Sequence, residues 1–478
     1  MEKFTSVIRS VPVDFDPFAG PEIESTVPST EAQREVFVAA EMGGSANSAY
    51  NESVTLQLFG ELDRNALERS MHDLVKRHES LRSVMSASGT HMIVFRSIEL
   101  DLEFHDAGTF STKERDRKLK EIGRLDMDKA FDLINGPLFR AAVIKIADQE
   151  HHLRLTGHHV VCDGWSLGII MAELSQLYNS YVKKIPAQLP PAVQYSEYAL
   201  ATIDFAKSAD HEKVEEFWID QFKGHIPRVD LPTDRPRPKQ KTYQGNRLDL
   251  ELDPSLVRGL REVATRQGAS FVTTLLTAFE VLLYKLTGDS DVVVGLPAAG
   301  QSDHGMKHLV GHCVNLLALR SNIDETRIFS EHLKARRSAV LDAFDNQKYT
   351  FGTLLRKLHI PREPGRIPLV PVVFNIDMNM DDGVAFEGLK HRFISNPRQH
   401  ENFELFLNAT GNNEHLVLEW SYNTDLFDQG TIEGWHKEFT LLLRAIIADV
   451  NGSIERLVEM TIGSNMQELP PKEWQGST

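Results

Sequence analysis

Cysteine is nearly absent. Cys162 and Cys313 are the only two in 478 residues, so a disulfide framework is excluded and the reading is a reduced, cytoplasmic protein. No apolar run reaches the roughly 20 residues needed to cross a bilayer, and the opening residues lack the basic-then-apolar order of a signal peptide. Positive charge is in deficit: 52 Lys and Arg against 68 Asp and Glu leave a formal net charge of −16. That balance argues against nucleic acid or an anionic membrane surface as a partner. The basic stretch RPKQK, with Arg237, Lys239 and Lys241, reads as a solvated loop. HxH, HExxH and CxxC spacings are missing, so no metal site is expected. Short-period repeats and low-complexity tracts are missing too.

What is present is an ordinary globular chain, 41% hydrophobic and 25% charged. Its length exceeds what one hydrophobic core supports and predicts two or three domains. Residues 1–28 hold scattered prolines and acids without periodicity and read as a leader or linker. In STEAQREVFVAAEM (29–42), Ser29 or Thr30 can cap a helix. NESVTLQLFGEL (51–62) alternates like a strand, and residues 62–85 carry Leu67, Met71, Leu74, Val75 and Leu81 at helical spacing. Residues 141–161 read as two strands joined at Asp148–Glu150, followed by a helix with Leu167, Ile170, Met171 and Leu174 on one face. The proline-rich stretch 183–194 marks a boundary between an N-terminal lobe, 29–185, and a C-terminal lobe, 186–460, with a linker-like tail at 461–478. The second half repeats the alternation, with an apolar helix at 270–288, strands at 291–300, 370–378 and 415–423, and a final helix at 431–448. The class is α/β in two unequal lobes.

The densest chemistry lies in GHHVVCDGWS (157–166). Side chains alternate across a strand, so Leu153, Leu155 and His159 share one face while Arg154, Thr156 and His158 share the other. One histidine points into a cleft and the other is held in packing. Asp163 ends the turn and Gly164 begins the helix, where glycine lets a backbone or ligand approach closely. The free N–H groups of a helix start can face a developing oxyanion. A structural role for both histidines is the plainer alternative. Cys162 can be a nucleophile or a buried small hydrophobe, and its neighbours favour the second.

His158-His159-Val160-Val161-Cys162-Asp163-Gly164 matches HHxxxDG. It resembles the signature of condensation domains of nonribosomal peptide synthetases, within the chloramphenicol acetyltransferase-like superfamily. Further motifs of that family follow in order. STEAQREVF (29–37) is similar to SxAQxRxW, RHESLRSVM (77–85) to RHExLRTxF, and YSEYA (195–199) to YxDFA. VGHCVNLLALR (310–320) is similar to VGxFVNTxxxR, NQKYTF (346–351) to HQDYPFE, and PGRIPLVPVVFN (364–375) to RDxSRNPLFxxxFN. The resemblance covers about 28–460. The tail LPPKEWQGST looks like a linker toward an adenylation domain, so the chain is expected to be a domain of a larger synthetase or a freestanding enzyme with a remnant tail. DGWS is similar to domains joining an L-configured or achiral donor to an L-acceptor. SAYNES, GLPAAGQ and LVGHCVNLL look like the branch that follows polyketide modules. Epimerisation, heterocyclisation and plant-type acyltransferase patterns do not fit.

The resemblance implies two acetyltransferase-like lobes forming a V-shaped pseudodimer with a central tunnel. It implies an acyltransferase that joins a carrier-bound peptidyl or polyketide thioester to the amine of a carrier-bound aminoacyl thioester. The substrates ride on phosphopantetheine arms of donor and acceptor carrier proteins. The domain itself is expected to bind no cofactor or metal and to be monomeric, cytoplasmic, and free of nucleic acid and membrane. His159 is the expected central residue, orienting or deprotonating the amine; His158 and Asp163 fix the loop and ring; Gly164 lets the arm pass. Trp165, Ser166, Arg82, Gln301 and Asn315 are expected along the tunnel or in support, with Asn315 holding a loop. Many relatives carry an arginine after AG in the loop where Gln301 stands, and it pairs with the motif aspartate. Here Arg82 or Arg320 could serve instead, but the expectation is that Asp163 is held by its own helix start with Gln301 second. A carrier-docking module without catalysis and a freestanding acyltransferase with a soluble acceptor are the alternatives.

Overall fold

The computed structural model describes residues 20–461 apart from 304 and 362. All but the first residue of the tail expected at 461–478, and most of the expected leader, therefore lie outside the described residues. In chain order the strands are β1 (Ile23–Pro28), β2 (Asn51–Phe59), β3 (Ser83–Met85), β4 (His91–Phe95), β5 (Leu102–Asp106), β6 (Phe139–Ala147) and β7 (Glu150–His158). They continue with β8 (Gly245–Leu252), β9 (Asp291–Ala299), β10 (Val314–Asn322), β11 (Val372–Met378), β12 (Lys390–Ser395), β13 (Leu405–Gly411) and β14 (Leu416–Asn423). Two sheets dominate, ordered β12-β2-β7-β6-β5 and β10-β9-β11-β13-β14-β8, with a smaller sheet β1-β4-β3 beside them. Helices pack on both large sheets, which gives the mixed α/β class.

The apolar pattern of each segment explains its place. On β7, Leu153 and Leu155 enter a core with Leu56, Leu67, Leu74 and Leu174. On the opposite face, Arg154 Nε and Thr156 Oγ1 donate to Asp126 at 2.6 and 2.7 Å. The alternation read from the sequence thus separates an apolar face from a hydrogen-bonded one. The second core surrounds the helix Phe271–Thr287, which is apolar on nearly every side because it is enclosed. Its Phe279 ring lies 5.8 Å from Phe374, 6.2 Å from Trp420 and 6.0 Å from Phe439. Gly288 ends the helix at φ 71°, the left-handed stop that glycine adopts freely.

Three expectations need correction. Residues 23–28 are not leader: β1 pairs with β4 from Ile23↔Phe95 to Pro28↔His91. The helix expected over 62–85 ends at Arg77, after which a short turn at Glu79–Arg82 leads into β3. The apolar spacing continued past Arg77 because Leu81 and Val84 are core residues of that turn and strand. The boundary at 185/186 does not partition the cores either. Val384, Phe386 and Leu389 join the first core, and β12 pairs antiparallel with β2 from Lys390↔Phe59 to Ser395↔Val54. This crossing strand covers an edge that would otherwise expose unpaired backbone groups. Asn396 secures it, accepting from Thr55 Oγ1 and donating to Ser53 Oγ, both at 2.9 Å.

The second core also encloses an ion pair. Arg336 Nε and the Nη2 group donate to the two oxygens of fully buried Glu280 at 2.8 and 2.7 Å. Removing one partner strands the other charge. Arg336→Met alone is expected to cost about 3–5 kcal/mol in chemical denaturation, and the Glu280→Leu, Arg336→Met double variant much less. Equal losses in the two proteins would contradict this reading.

Candidate active site

Beyond β7 the chain turns sharply. The N–H groups of Val161 and Cys162 both donate to the His158 carbonyl at 3.0 and 3.1 Å, while His159 N–H donates to the Tyr50 carbonyl at 2.8 Å. The turn sends the two histidines to different surroundings, as alternation predicts. His158 is fully buried against Tyr50 and Phe131, and its Nδ1 accepts the Val160 N–H at 3.2 Å. Burial, with the nearby His159, lowers its pKa to about 3, so the ring is neutral. Cys162 is also buried, and burial together with Asp163 and Glu52 pushes its thiol well above the usual range. It is a packing residue, not a thiolate nucleophile.

Asp163 caps the helix Gly164–Lys183 and is fully buried. Its Oδ1 accepts from Ser166 N–H at 2.8 Å and Ser166 Oγ at 2.6 Å. Its Oδ2 accepts from Cys313 N–H at 3.0 Å and Gln301 Nε2 at 2.9 Å, and the same amide lies 3.2 Å from Oδ1. Neutral donors hold it; among the described residues no cation contacts it. Arg82 is engaged with Glu24 and the Phe95 carbonyl, and Arg320 pairs with Asp291 at 2.7 Å. Both lie away from Asp163 because their partners are on their own sheets, and Arg82 is not in the cavity wall.

Five of the other stretches that resemble family motifs reach this turn or the loop beside it; the stretch 364–375 instead supplies wall residues such as Asn375 to the cavity on which His159 opens. Gln33 Nε2 donates to the Val160 carbonyl at 3.0 Å, and Ser80 Oγ donates to the Val310 carbonyl at 2.8 Å. Ser166 Oγ accepts the Gly311 N–H at 3.0 Å and lies 2.9 Å from the Gly311 carbonyl, its one proton being shared between that carbonyl and the closer Asp163 Oδ1. Tyr195 Oη donates to the His312 carbonyl at 2.8 Å. A Cβ on Gly311 would stand 2.0 Å from the Tyr195 ring, so only glycine allows this approach. Asn315 donates to the carbonyls of Gln347 and Tyr349 at 2.7 and 2.8 Å and accepts from Leu316 and Phe351 N–H groups. It ties the loop to residues 346–351.

His159 opens on a cavity of about 1760 Å³ lined from both halves of the chain. One part of the wall is apolar, with Val272, Leu296, Leu316, Phe351 and Leu355; another is polar, with Arg247, Asn375, Asp377, Asn408 and Glu419. Gly164 and Trp165 also line it. A Cβ on Gly164 would meet only Met380 Cε, at 3.9 Å, an ordinary contact with a flexible side-chain end. The half-exposed Trp165 indole N–H donates to the Lys307 carbonyl at 3.0 Å. Lys241, expected in a solvated loop, is another wall residue, and burial lowers its pKa to about 8. Among the described residues no three His, Cys, Asp or Glu side chains are arranged to hold a metal ion.

The His159 ring is held from two sides by residues that the sequence reading did not single out. Its Nε2 lies 3.3 Å from Glu52 Oε1, and its Nδ1 lies 3.0 Å from His312 Nδ1. Arg398, on the chain just beyond β12, pairs with Glu52. Glu52 and His312 lie in SAYNES and LVGHCVNLL, stretches already notable for their resemblance to one branch. Arg398 carries no comparable signal, since only the crossing of β12 brings it here.

Comparison with known proteins gives a consistent result. The condensation domain family matches residues 23–467. A plipastatin synthase of Bacillus subtilis (strain 168) is 32% identical over 90% of this chain, and a linear gramicidin synthase of Brevibacillus parabrevis is 33% identical over 87%. The chain spans 16% and 8% of those relatives' lengths. The condensation domain from the monacolin K polyketide synthase MokA superposes with a TM-score of 0.80 at 18% identity, covering 91% of this chain and 100% of that one.

The clasp around Asp163 generates two expectations. Asp163→Ala leaves buried donors unpaired, each costing about 1–3 kcal/mol. Asp163→Asn is expected to be destabilised as well, because an amide offers one acceptor where both oxygens are used. Gln301→Ala, with Ser166 and Cys313 still in place, is expected to cost about 1 kcal/mol. Chemical denaturation checks the ranking, and a larger loss for Gln301→Ala would make Gln301 the principal partner. The second expectation concerns pH. His158 has a folded pKa of about 3, below its ordinary value of 6.5, so the unfolded chain takes up a proton that the folded chain refuses. Stability contributed by this neutral ring is intact above about pH 6.5 and falls as the pH drops toward 3. His158→Asn is expected to lose less stability between pH 7 and 5 than the parent; an equal loss would place the acid sensitivity elsewhere.

Proposed function

Because the chain belongs to the condensation-domain family, we propose that it joins a carrier-bound acyl thioester to the amine of a carrier-bound aminoacyl thioester. The amine nitrogen attacks the thioester carbonyl carbon, a C–N bond forms, the C–S bond breaks, and a thiol leaves. The observation that carries this reading is His159 in the wall of a large cavity bounded by both halves of the chain. The thioester is already activated, so the protein's task is to hold two tethered substrates end to end. Such orientation supplies on the order of 7–11 kcal/mol, and tethering adds a high effective concentration.

His159 takes up the amine's proton. His158 and Asp163 fix the turn, and Gly164 leaves room for a phosphopantetheine arm. Its helix-start N–H groups can face the oxyanion. Trp165 borders the passage, and Ser166, Gln301 and Asn315 hold the surrounding loops. We assign residues 23–185 with the returning segment 384–396 to one lobe and the remainder to the other, meeting in a V around a passage open to a carrier on each side. The polyketide-like stretches around Glu52, Gln301 and His312 favour a polyketide or peptidyl donor. Donor and acceptor carrier proteins are the partners, and the domain acts as a cytoplasmic monomer. No single helix among the described residues is long and apolar enough to cross a membrane.

Intact-mass analysis of loaded carriers tests the reaction. The expected product is an acyl-aminoacyl adduct on the acceptor carrier; acyl transfer only to a soluble alcohol or amine would overturn the assignment. His159→Ala is expected to lose about a hundredfold or more in turnover. Its melting temperature should stay close to the parent's, because the side chain faces the cavity. A large drop in melting temperature with little loss of rate would reverse that role.

A further inference from the structure

Both ring nitrogens of His159 are engaged within the protein. Nε2 faces Glu52 Oε1 at 3.3 Å, and Nδ1 faces His312 Nδ1 at 3.0 Å. Burial pushes the Glu52 pKa up, but the Arg398 guanidinium beside it pulls it down, the net direction is lowered, and Glu52 is a carboxylate. The Glu52 charge, 3.3 Å from Nε2, favours a proton on that nitrogen, so a neutral His159 is expected to carry its proton on Nε2. Its Nδ1 is then a lone pair, and the facing Nδ1 of His312 carries a proton. The uncommitted lone pair of this pair of rings is on His312 Nε2, and His312 lines the cavity.

We propose that His312 relays the proton between the reacting amine and His159, with Glu52 positioning the His159 ring. The proposal rests on the reading of the site as an amide-forming centre. As the amine nitrogen bonds to the thioester carbonyl carbon, its proton passes to His312 Nε2. The proton on His312 Nδ1 passes to His159 Nδ1. The positive charge comes to rest on His159, beside the Glu52 carboxylate. When the C–S bond breaks, the proton returns by the same route to the departing sulfur. A thioester and an amine become an amide and a thiol, with no proton or electron left over. His312 stays neutral before and after each transfer. Burial, with His159 and His158 nearby, holds its pKa well below the ordinary imidazole value, which suits a relay and opposes a resting charge.

The resting arrangement has a readout independent of activity. Selective ¹⁵N labelling of histidine in the full chain reports each tautomer through two-bond couplings, with signals assigned by their loss in His159→Ala and His312→Ala. His159 is expected as the Nε2–H tautomer and His312 as the Nδ1–H tautomer; a neutral His159 protonated on Nδ1 would overturn the relay. Activity supplies the second arm. In single-turnover assays with loaded carriers, His312→Ala is expected to fall about a hundredfold. His312→Asn can still donate to His159 Nδ1 but cannot pass a proton through, so it is expected to be no faster. Recovery of the parent rate by His312→Asn would reduce His312 to ring positioning and overturn the relay. A parent protein that forms no amide would overturn the functional reading and the relay together, and that control separates the two failures.

Discussion

The interaction on which the site depends is the clasp around Asp163. One buried carboxylate collects donors from its own helix start, from Gln301 at the end of β9, and from Cys313 in the loop before β10. These come from both sides of the expected lobe boundary. The clasp therefore does more than finish a helix: it fixes the loop 311–313 against the turn 158–163. His312 sits between Gly311 and Cys313, so the same contacts that satisfy Asp163 place the His312 ring against His159. The Asp163 donors among the described residues are neutral.

This arrangement explains why the family-like motifs are dispersed along the chain. Gln33, Ser80, Tyr195 and Asn315 each satisfy a backbone group of the turn or of the loops that support it. None of them needs to touch a substrate to be required. A buried carbonyl without a partner costs as much as a lost hydrogen bond, so each contact is a positional constraint as well as a source of stability. Rigid support of this kind suits a reaction whose acceleration comes chiefly from orientation.

Much of the architecture was legible in the sequence. The alternation in 150–158 separated the two histidines, the apolar helix before Gly288 announced a second core, and HHxxxDG located the turn. The helix-start N–H groups and Gln301 were expected around Asp163 from its acceptor capacity, whereas the Cys313 N–H, brought in from a distant loop, was not. Other features were not readable, for physical reasons. Residues 384–396 return to the first sheet, and local pattern does not reveal which edge a strand will cover. Arg398 reaches Glu52 only through that crossing. Leu81 continues a helical spacing although the chain has already turned, because core contact and helical contact share the same residue type. Arg82 matched its motif in sequence and serves the small sheet instead. Glu52 and His312 stood inside stretches marked by their resemblance to one branch, but only the fold shows that both stretches close on the same imidazole.

The central claim is that the reacting amine meets the paired imidazoles of His159 and His312 inside the shared cavity. The most direct measurement is a crystal structure with an aminoacyl-pantetheine analogue bound through a non-hydrolysable linkage. The account predicts the amine nitrogen about 2.6–3.2 Å from an imidazole nitrogen of that pair. An ordered analogue whose amine lies against the polar wall of Asn375, Asp377 and Asn408, out of reach of both rings, would contradict it.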